Sequence, residues 1–155
     1  MTQESSPASN ETPPVDDQQW VQDQHAKVLH YGSRNQLDID LLNQQQSAIL
    51  PPHIAVWLAH SKSLNQEVWV ITGDLPTDHI NGENAKNARE AVRHFSLRWQ
   101  LKADKLMASV KNGTPEMGDA ERQTQFAELL ISRANGLHDL AGNDDIWASH
   151  PAFQN

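Results

Sequence analysis

The sequence predicts an α+β domain in which a small antiparallel sheet packs against four or five helices. Three observations carry this prediction. Two short runs of β-branched and aromatic residues, 54–59 and 67–72, are separated by a polar segment. An apolar repeat at helical spacing runs from Ala88 to Val110, within a long helix predicted over residues 84–110. Further helical patterns precede the two runs and follow the repeat, so helices and strands occupy separate stretches of the chain.

The first helix is predicted to begin at an N-cap formed by Asp16. Val15 and Trp20 have the spacing of a hydrophobic staple around such a cap. The apolar pattern continues to about Tyr31, and Gly32 is a typical stop signal. The residues before the cap, 1–15, contain almost nothing that enters a core, and they predict a disordered tail. A single domain is therefore expected over residues 16–150.

A second, short helix is predicted over residues 40–48. Asp38 is a suitable cap for it, and Pro51 requires it to end beforehand because proline restricts the residue that precedes it. The runs 54–59 and 67–72 then predict a β-hairpin. Both runs are nearly continuous in apolar character, which indicates strands covered on both faces.

The strongest single pattern is the helix predicted over residues 84–110. Its apolar positions recur at steps of three and four, which places them on one stripe. They are Ala88, Val92, Phe95, Trp99, Ala103, Leu106 and Val110. A further helix is predicted after a cap at residues 114–116 and is expected to end at residues 135–136. A last short turn is predicted from Asn143, with Ile146 and Trp147 packed inward.

Composition excludes several classes of function. The 155 residues include 12 basic and 20 acidic ones, a net charge of -8, and no cysteine. A net charge of this sign disfavours general affinity for nucleic acid or anionic lipid. The absence of cysteine excludes disulfides, thiolate zinc sites and a cysteine nucleophile. With neither a signal-peptide pattern nor a long apolar run at the N-terminus, a cytoplasmic location is expected.

One candidate site follows the second predicted strand. Asp74 and Asp78 lie four residues apart, and His79 is adjacent to the second carboxylate. Such a set is able to bind a divalent metal or share acid–base work, for instance together with His60. Ordinary turn chemistry explains the same residues, because aspartate often bonds its own backbone in turns. The turn interpretation is favoured, so neither a metal site nor a cofactor is predicted.

A second candidate is the basic face of the long helix, which carries Arg89, Arg93, Arg98, Lys102 and Lys105. This face is suited to an acidic partner or a phosphate group. Pairing with the acidic C-terminal segment is the simpler alternative. No aromatic side chains are interleaved with the basic ones, so nucleic acid is disfavoured. The candidate binding residues from both regions are Trp69, Asp74, Asp78, His79, Arg89, Arg93 and His94.

Four segments resemble a family of small bacterial proteins known as a domain of unknown function. They are residues 24–29, 50–57, 68–78 and 88–95, and the string from Trp69 to Asp78 is the part that resembles a signature. The resemblance covers residues 18–140. It implies a bacterial cytoplasmic protein and supplies no activity, so it assigns no catalytic residue.

Taken together, the sequence favours a non-enzymatic binding protein that recognises a protein partner or a second copy of itself. Motifs for nucleophilic, nucleotide-dependent or metal-dependent catalysis are absent from it. An adaptor or immunity-like role fits this description by analogy. The alternative is a metal-assisted hydrolase built around Asp74, Asp78 and His79.

Overall fold

A computed structural model describes residues 14–150, which form two compact units divided between His79 and Ile80. The N-terminal unit contains the first helix and most of the sheet, and the C-terminal unit is helical. The α+β class is confirmed. The predicted disordered tail falls, apart from its last two residues, outside the described range. The prediction of one domain over residues 16–150 stays a prediction.

Helix α1 spans Pro14–Arg34 and begins two residues before the predicted cap. It also continues past Gly32, which was the predicted stop. A side chain at Gly32 would begin with a Cβ only 2.6 Å from Cγ1 of Ile39. The glycine therefore serves close packing against the segment that follows the helix, and the helix ends one turn later than predicted.

The sheet has four strands in the order β1-β2-β3-β4. Their bounds are Ile39–Leu50, Ile54–Ser61, Gln66–Gly73 and Asp78–Asn81. The predicted hairpin is confirmed: β2 and β3 pair antiparallel from Ile54↔Gly73 to Ser61↔Gln66. Both faces of this pair are buried, as its continuous apolar pattern predicted.

Strand β1 replaces the helix predicted over residues 40–48, which was wrong. Pairing with β2 determines its conformation, and the register shifts between Asn43 and Ala48. Across this shift the Ser47 hydroxyl accepts a hydrogen bond from the Leu58 amide at 2.9 Å and donates to the Asn43 carbonyl at 2.7 Å. The Ser47 side chain thus gives the Leu58 amide the acceptor that a backbone carbonyl provides in a regular ladder. This bond keeps the polar middle of β1 attached to β2 across the register shift.

The core of the N-terminal unit lies between α1 and one face of the sheet. Trp57 is at its centre, and its indole donates a hydrogen bond to the Thr72 hydroxyl at 3.2 Å. The other buried members of the cluster are Val28, Ala55, Ala59, Val68 and Val70. Trp69 is also buried but points to the opposite face, because alternate residues of a strand face opposite sides.

The C-terminal unit begins with a 3-10 turn, Gly82–Asn84, followed by α2, Ala88–Lys111. The predicted start at residue 84 was therefore four residues early. Asn87 is the N-cap, and its side chain accepts a hydrogen bond from the Glu90 amide at 2.9 Å. The predicted stripe is confirmed: its first six members are buried and Val110 is half-buried.

The third helix differs from its prediction at both ends. Helix α3 spans Ala120–Ala141 and begins after Asp119, whose carboxylate accepts hydrogen bonds from two amides of the first turn. The cap predicted at residues 114–116 was wrong, as was the end predicted at residues 135–136. Gly136 lies on the exposed side of the helix, where it interrupts no packing. Helix α4, Asp144–Ala148, is confirmed, and Trp147 is buried.

Helices α2 and α3 pack against each other along small residues. At the centre of the pair, the buried Ser96 hydroxyl donates to the Ala134 carbonyl at 2.8 Å. At the connected end, the buried side chain of Gln123 joins three segments. Its Nε2 donates to the Leu106 carbonyl at 2.7 Å and contacts the Ser109 hydroxyl, while its Oε1 accepts from the Met117 amide at 2.7 Å. Within the described residues, no helix combines the length and apolar character needed to cross a membrane.

Gln123→Ala should lower the free energy of unfolding by about 3 kcal/mol, because it removes the hydrogen bonds to the Met117 amide and the Leu106 carbonyl and leaves a cavity at a fully buried position. Urea unfolding followed by tryptophan fluorescence measures this loss. Gln125→Ala is the matched control, since Gln125 is exposed on the same helix and its truncation should cost less than about 0.5 kcal/mol. We refer to the buried contacts of Gln123 as the Gln123 clamp. Equal losses of unfolding free energy in the two variants would contradict its stabilising role.

Candidate functional site

The acidic residues and the histidine that follow β3 are not gathered around one point. Asp74 is exposed, and its backbone amide donates to the His53 carbonyl at 3.1 Å. Asp78 is half-buried at the start of β4, where its Oδ1 accepts from the His79 amide at 2.8 Å. Such a bond is the local turn chemistry that competes with a metal site.

His79 instead contacts the first helix. The distance from its Nδ1 to the Tyr31 hydroxyl oxygen is 2.7 Å, and the two rings lie edge to face at 5.6 Å between centroids. The partner is 48 residues away in the chain, so sequence spacing contained no signal for this pair. The hydrogen bond fixes the Tyr31 ring and directs its hydroxyl toward β4.

His60 is also separated from the set. It lies near the turn end of the hairpin, whereas Asp74 follows the residue that pairs with Ile54 at the opposite end. Six strand residues separate these ends, which corresponds to about 20 Å. The ring of His60 contacts Asp40 instead, at 2.8 Å, and this hydrogen bond holds the pKa of the Asp40 carboxyl below its ordinary value.

No group of three or more histidine, aspartate and glutamate side chains between residues 14 and 150 is arranged to hold a metal ion. The hydrolase hypothesis therefore lacks a donor set in this part of the chain. Trp69, another candidate, is 1% exposed and belongs to the buried sheet. It has no surface with which to meet a partner.

The basic residues of α2 divide into two groups. Arg89 turns toward the C-terminal segment: its Nε donates to the Ala141 carbonyl at 2.7 Å, and its guanidinium pairs with Asp144 at 2.5 Å. It thereby satisfies the last turn of α3 and fixes the start of α4. This contact is the pairing with the acidic C-terminal segment that was the simpler alternative predicted for the basic face. Arg93, one turn further along, is exposed.

The remaining basic residues surround a groove of about 670 Å³ on α2. We refer to this region as the α2 face. Its lining residues are His94, Leu97, Arg98, Leu101, Lys102, Lys105, Leu106 and Glu116. Leu97 is 57% exposed and Leu101 is 71% exposed. An apolar ridge therefore lies in water between cationic side chains.

Neighbouring contacts shape the α2 face. The ammonium group of Lys102 lies over the Phe126 ring of α3, 5.8 Å from its centroid, a distance at which the two attract. Glu116 enters the groove from the connection between α2 and α3. That connection is held by the hydrogen bond between the Met117 amide and Gln123. The buried clamp thus positions one wall of an exposed groove.

The cations of this face were predicted from the sequence, but its two exposed leucines were not. Leu97 and Leu101 are four residues apart and lie off the buried stripe of α2. On an otherwise polar arc, this spacing is the pattern of a small second apolar ridge. The spacing of the two leucines was therefore the signal from which this ridge could have been predicted. The longer and more regular buried stripe of α2 was assigned instead.

A comparison with protein-family models matches residues 15–147 to a domain of unknown function, DUF4826. The chain belongs to the DUF4826 family. The predicted resemblance to a family of unknown function is confirmed at this level, and the DUF4826 match includes the whole α2 face. Comparisons with curated proteins and with solved structures found no match.

Arg89→Ala in this DUF4826 protein should lower the free energy of unfolding by about 1 kcal/mol, because a carbonyl and a carboxylate lose a charged donor. Arg93→Ala removes the same charge from an exposed position and should change it by less than about 0.5 kcal/mol. Chemical unfolding of both variants provides the measurement. If Arg93→Ala lowers the free energy of unfolding as much as Arg89→Ala does, the contacts of Arg89 do not stabilise the fold as stated here.

Proposed function

We propose that this protein is a non-enzymatic binding protein whose α2 face receives an acidic amphipathic helix of a partner protein. The observation that carries the proposal is the exposed pair Leu97 and Leu101 between the cations of one groove. Exposed apolar surface rimmed by charge is typical of interaction sites. An amphipathic helix lying in such a groove presents apolar anchors at helical spacing.

The apolar part of the interaction would come from the two leucines. Burial of a leucine side chain contributes about 1.5–3 kcal/mol relative to its exposed state. Both are largely exposed, so most of this free energy is available to a partner. The buried Leu106 also lines the groove. From His94 to Lys105 the face extends about 16 Å along the helix axis, which is the length of three helical turns.

The charge of the face supports an acidic partner. Arg98, Lys102 and Lys105 line the groove, and Glu116 is the one acidic residue that does. Carboxylates on the partner would complement these cations, accelerate association and fix the orientation of the helix. Because the chain as a whole carries -8, the α2 face differs in sign from the protein around it.

The same charges argue against two other occupants. A symmetric dimer through this face would place the cations of one copy opposite those of the other, since a two-fold interface joins identical surfaces. Nucleic acid would meet the net negative charge of the chain and finds no aromatic residue among those that line the groove. An acidic helix avoids both difficulties.

We infer that this binding serves an adaptor or immunity-like role in the bacterial cytoplasm. The resemblance described above supports the bacterial origin, and the composition without cysteine is compatible with a reducing compartment. We also propose that the string from Trp69 to Asp78 is a signature of the family.

A synthetic helix of 14 residues with leucines at helical spacing and glutamates elsewhere tests the proposal. Fluorescence anisotropy should show saturable binding that weakens as salt is added. The variant Leu97→Ser with Leu101→Ser should bind at least about 10-fold more weakly, a change of about 1.4 kcal/mol.

The matched control is Leu41→Ser with Leu64→Ser, which removes two exposed leucines from the N-terminal unit. It should bind the peptide as the unaltered chain does. A second control peptide carries lysine in place of each glutamate and should not bind. Equal weakening by both leucine variants, or equal binding of both peptides, would overturn the proposal.

A further inference from the structure

We propose that a three-residue insertion in β1 prevents the edge of the sheet from pairing with a second copy of the chain. It consists of Gln44, Gln45 and Gln46, and we refer to it as the glutamine insertion. Within residues 14–150, β1 lies at one end of the strand order, so its outer side has no neighbouring strand. We refer to this outer side as the free edge. The inference does not depend on the proposed role of the α2 face.

The free edge of β1 needs protection. The outward amides and carbonyls of an edge strand are a template on which another strand can form hydrogen bonds. Lysine side chains commonly prevent such pairing, but β1 contains neither lysine nor arginine, and Asp40 is its one charged residue. Leu41 adds an apolar side chain that is 67% exposed. Another feature of the strand must therefore keep a second chain away.

The register between β1 and β2 defines the length of the insertion. Asn43 is paired with Leu58, and the next pair joins Ala48 to Val56. Four residues of β1 lie between these two pairs, whereas β2 has a single residue there, Trp57. Three residues of β1 are therefore in excess. The glutamine insertion is exposed throughout its length, so no packing requirement explains its presence.

Hydrogen bonds at both ends hold the insertion out of the ladder. The Oδ1 atom of Asn43 accepts a hydrogen bond from the Gln46 amide at 3.2 Å, which closes a local turn. The buried Ser47 hydroxyl connects the Asn43 carbonyl to the Leu58 amide, so β1 stays attached to β2 beside the turn. Extra residues of this kind are left unpaired and bend the strand.

The insertion divides the free edge into short pieces. Residues 48–50 form the piece after it, and Pro51 then follows with no amide hydrogen to donate. Before the insertion, a second register shift separates Ile39 from Leu41, so residues 41–43 are the regular piece on that side. Each piece is about 10 Å long. Very short edge strands are a known protection against pairing, because they offer an added strand few hydrogen bonds.

Removal of the glutamine insertion tests the proposal, because the deletion restores a continuous register. Ser47 then lies opposite Trp57, and seven consecutive residues, about 24 Å of strand, become regular. In sedimentation velocity the unaltered chain should remain a monomer. The mass-average mass of the deletion variant should rise toward at least twice the monomer value as its concentration is raised to about 200 μM.

Two further variants separate edge pairing from other effects. The triple variant Gln44→Gly, Gln45→Ser, Gln46→Gly keeps the length of the insertion and should remain a monomer. Leu41→Lys, introduced into the deletion variant, places a charge on the restored edge at an exposed position. It should return the deletion variant to a monomer.

Four results would overturn the proposal. The deletion variant remains a monomer, or Leu41→Lys leaves its association unchanged. The triple variant associates as strongly as the deletion variant. The deletion variant loses its fold, as measured by circular dichroism and tryptophan fluorescence, in which case the insertion is required for folding and not for protection of the edge.

Discussion

Close packing of α2 against α3 is the constraint on which the C-terminal unit and its candidate surface depend. Small residues on the buried sides of both helices bring the backbones together, and Ser96 bonds directly to a carbonyl of α3. Because only one stripe of α2 is buried, the opposite arc of the helix remains exposed to water. Leu97 and Leu101 lie on that arc with the cations, and the Gln123 clamp adds Glu116 to its border.

The parts of the fold that could be predicted are those whose pattern is local and continuous. The hairpin over β2 and β3 and the buried stripe of α2 follow directly from runs of apolar residues. Strand β1 was mistaken for a helix because its polar middle has no strand pattern of its own, and its conformation depends on β2 and on the Ser47 bridge. The end of α1 was misplaced because Gly32 serves a contact with Ile39, a relation that sequence does not display.

The candidate sites show the same division. The cations of α2 were identified from the sequence, since charge along a helix is visible in residue order. Adjacency of Asp74, Asp78 and His79 suggested one site, but turn and strand geometry disperse them, and His79 meets Tyr31 from another element. A cleft beside α1 likewise joins Thr77 to Lys27, 50 positions earlier in the chain. Convergence of this kind depends on topology, which a single sequence does not reveal.

Thiol reactivity measures the exposure of the α2 face most directly, because the chain contains no cysteine of its own. Four single variants are compared: Leu97→Cys and Leu101→Cys on the exposed arc, and Ser96→Cys and Ala103→Cys at buried positions of the same helix. The account predicts that the first two react with a thiol reagent nearly as fast as the unfolded chain and the last two at least about 100-fold more slowly. If Leu101→Cys is as protected as Ala103→Cys, the face is covered and the account is wrong.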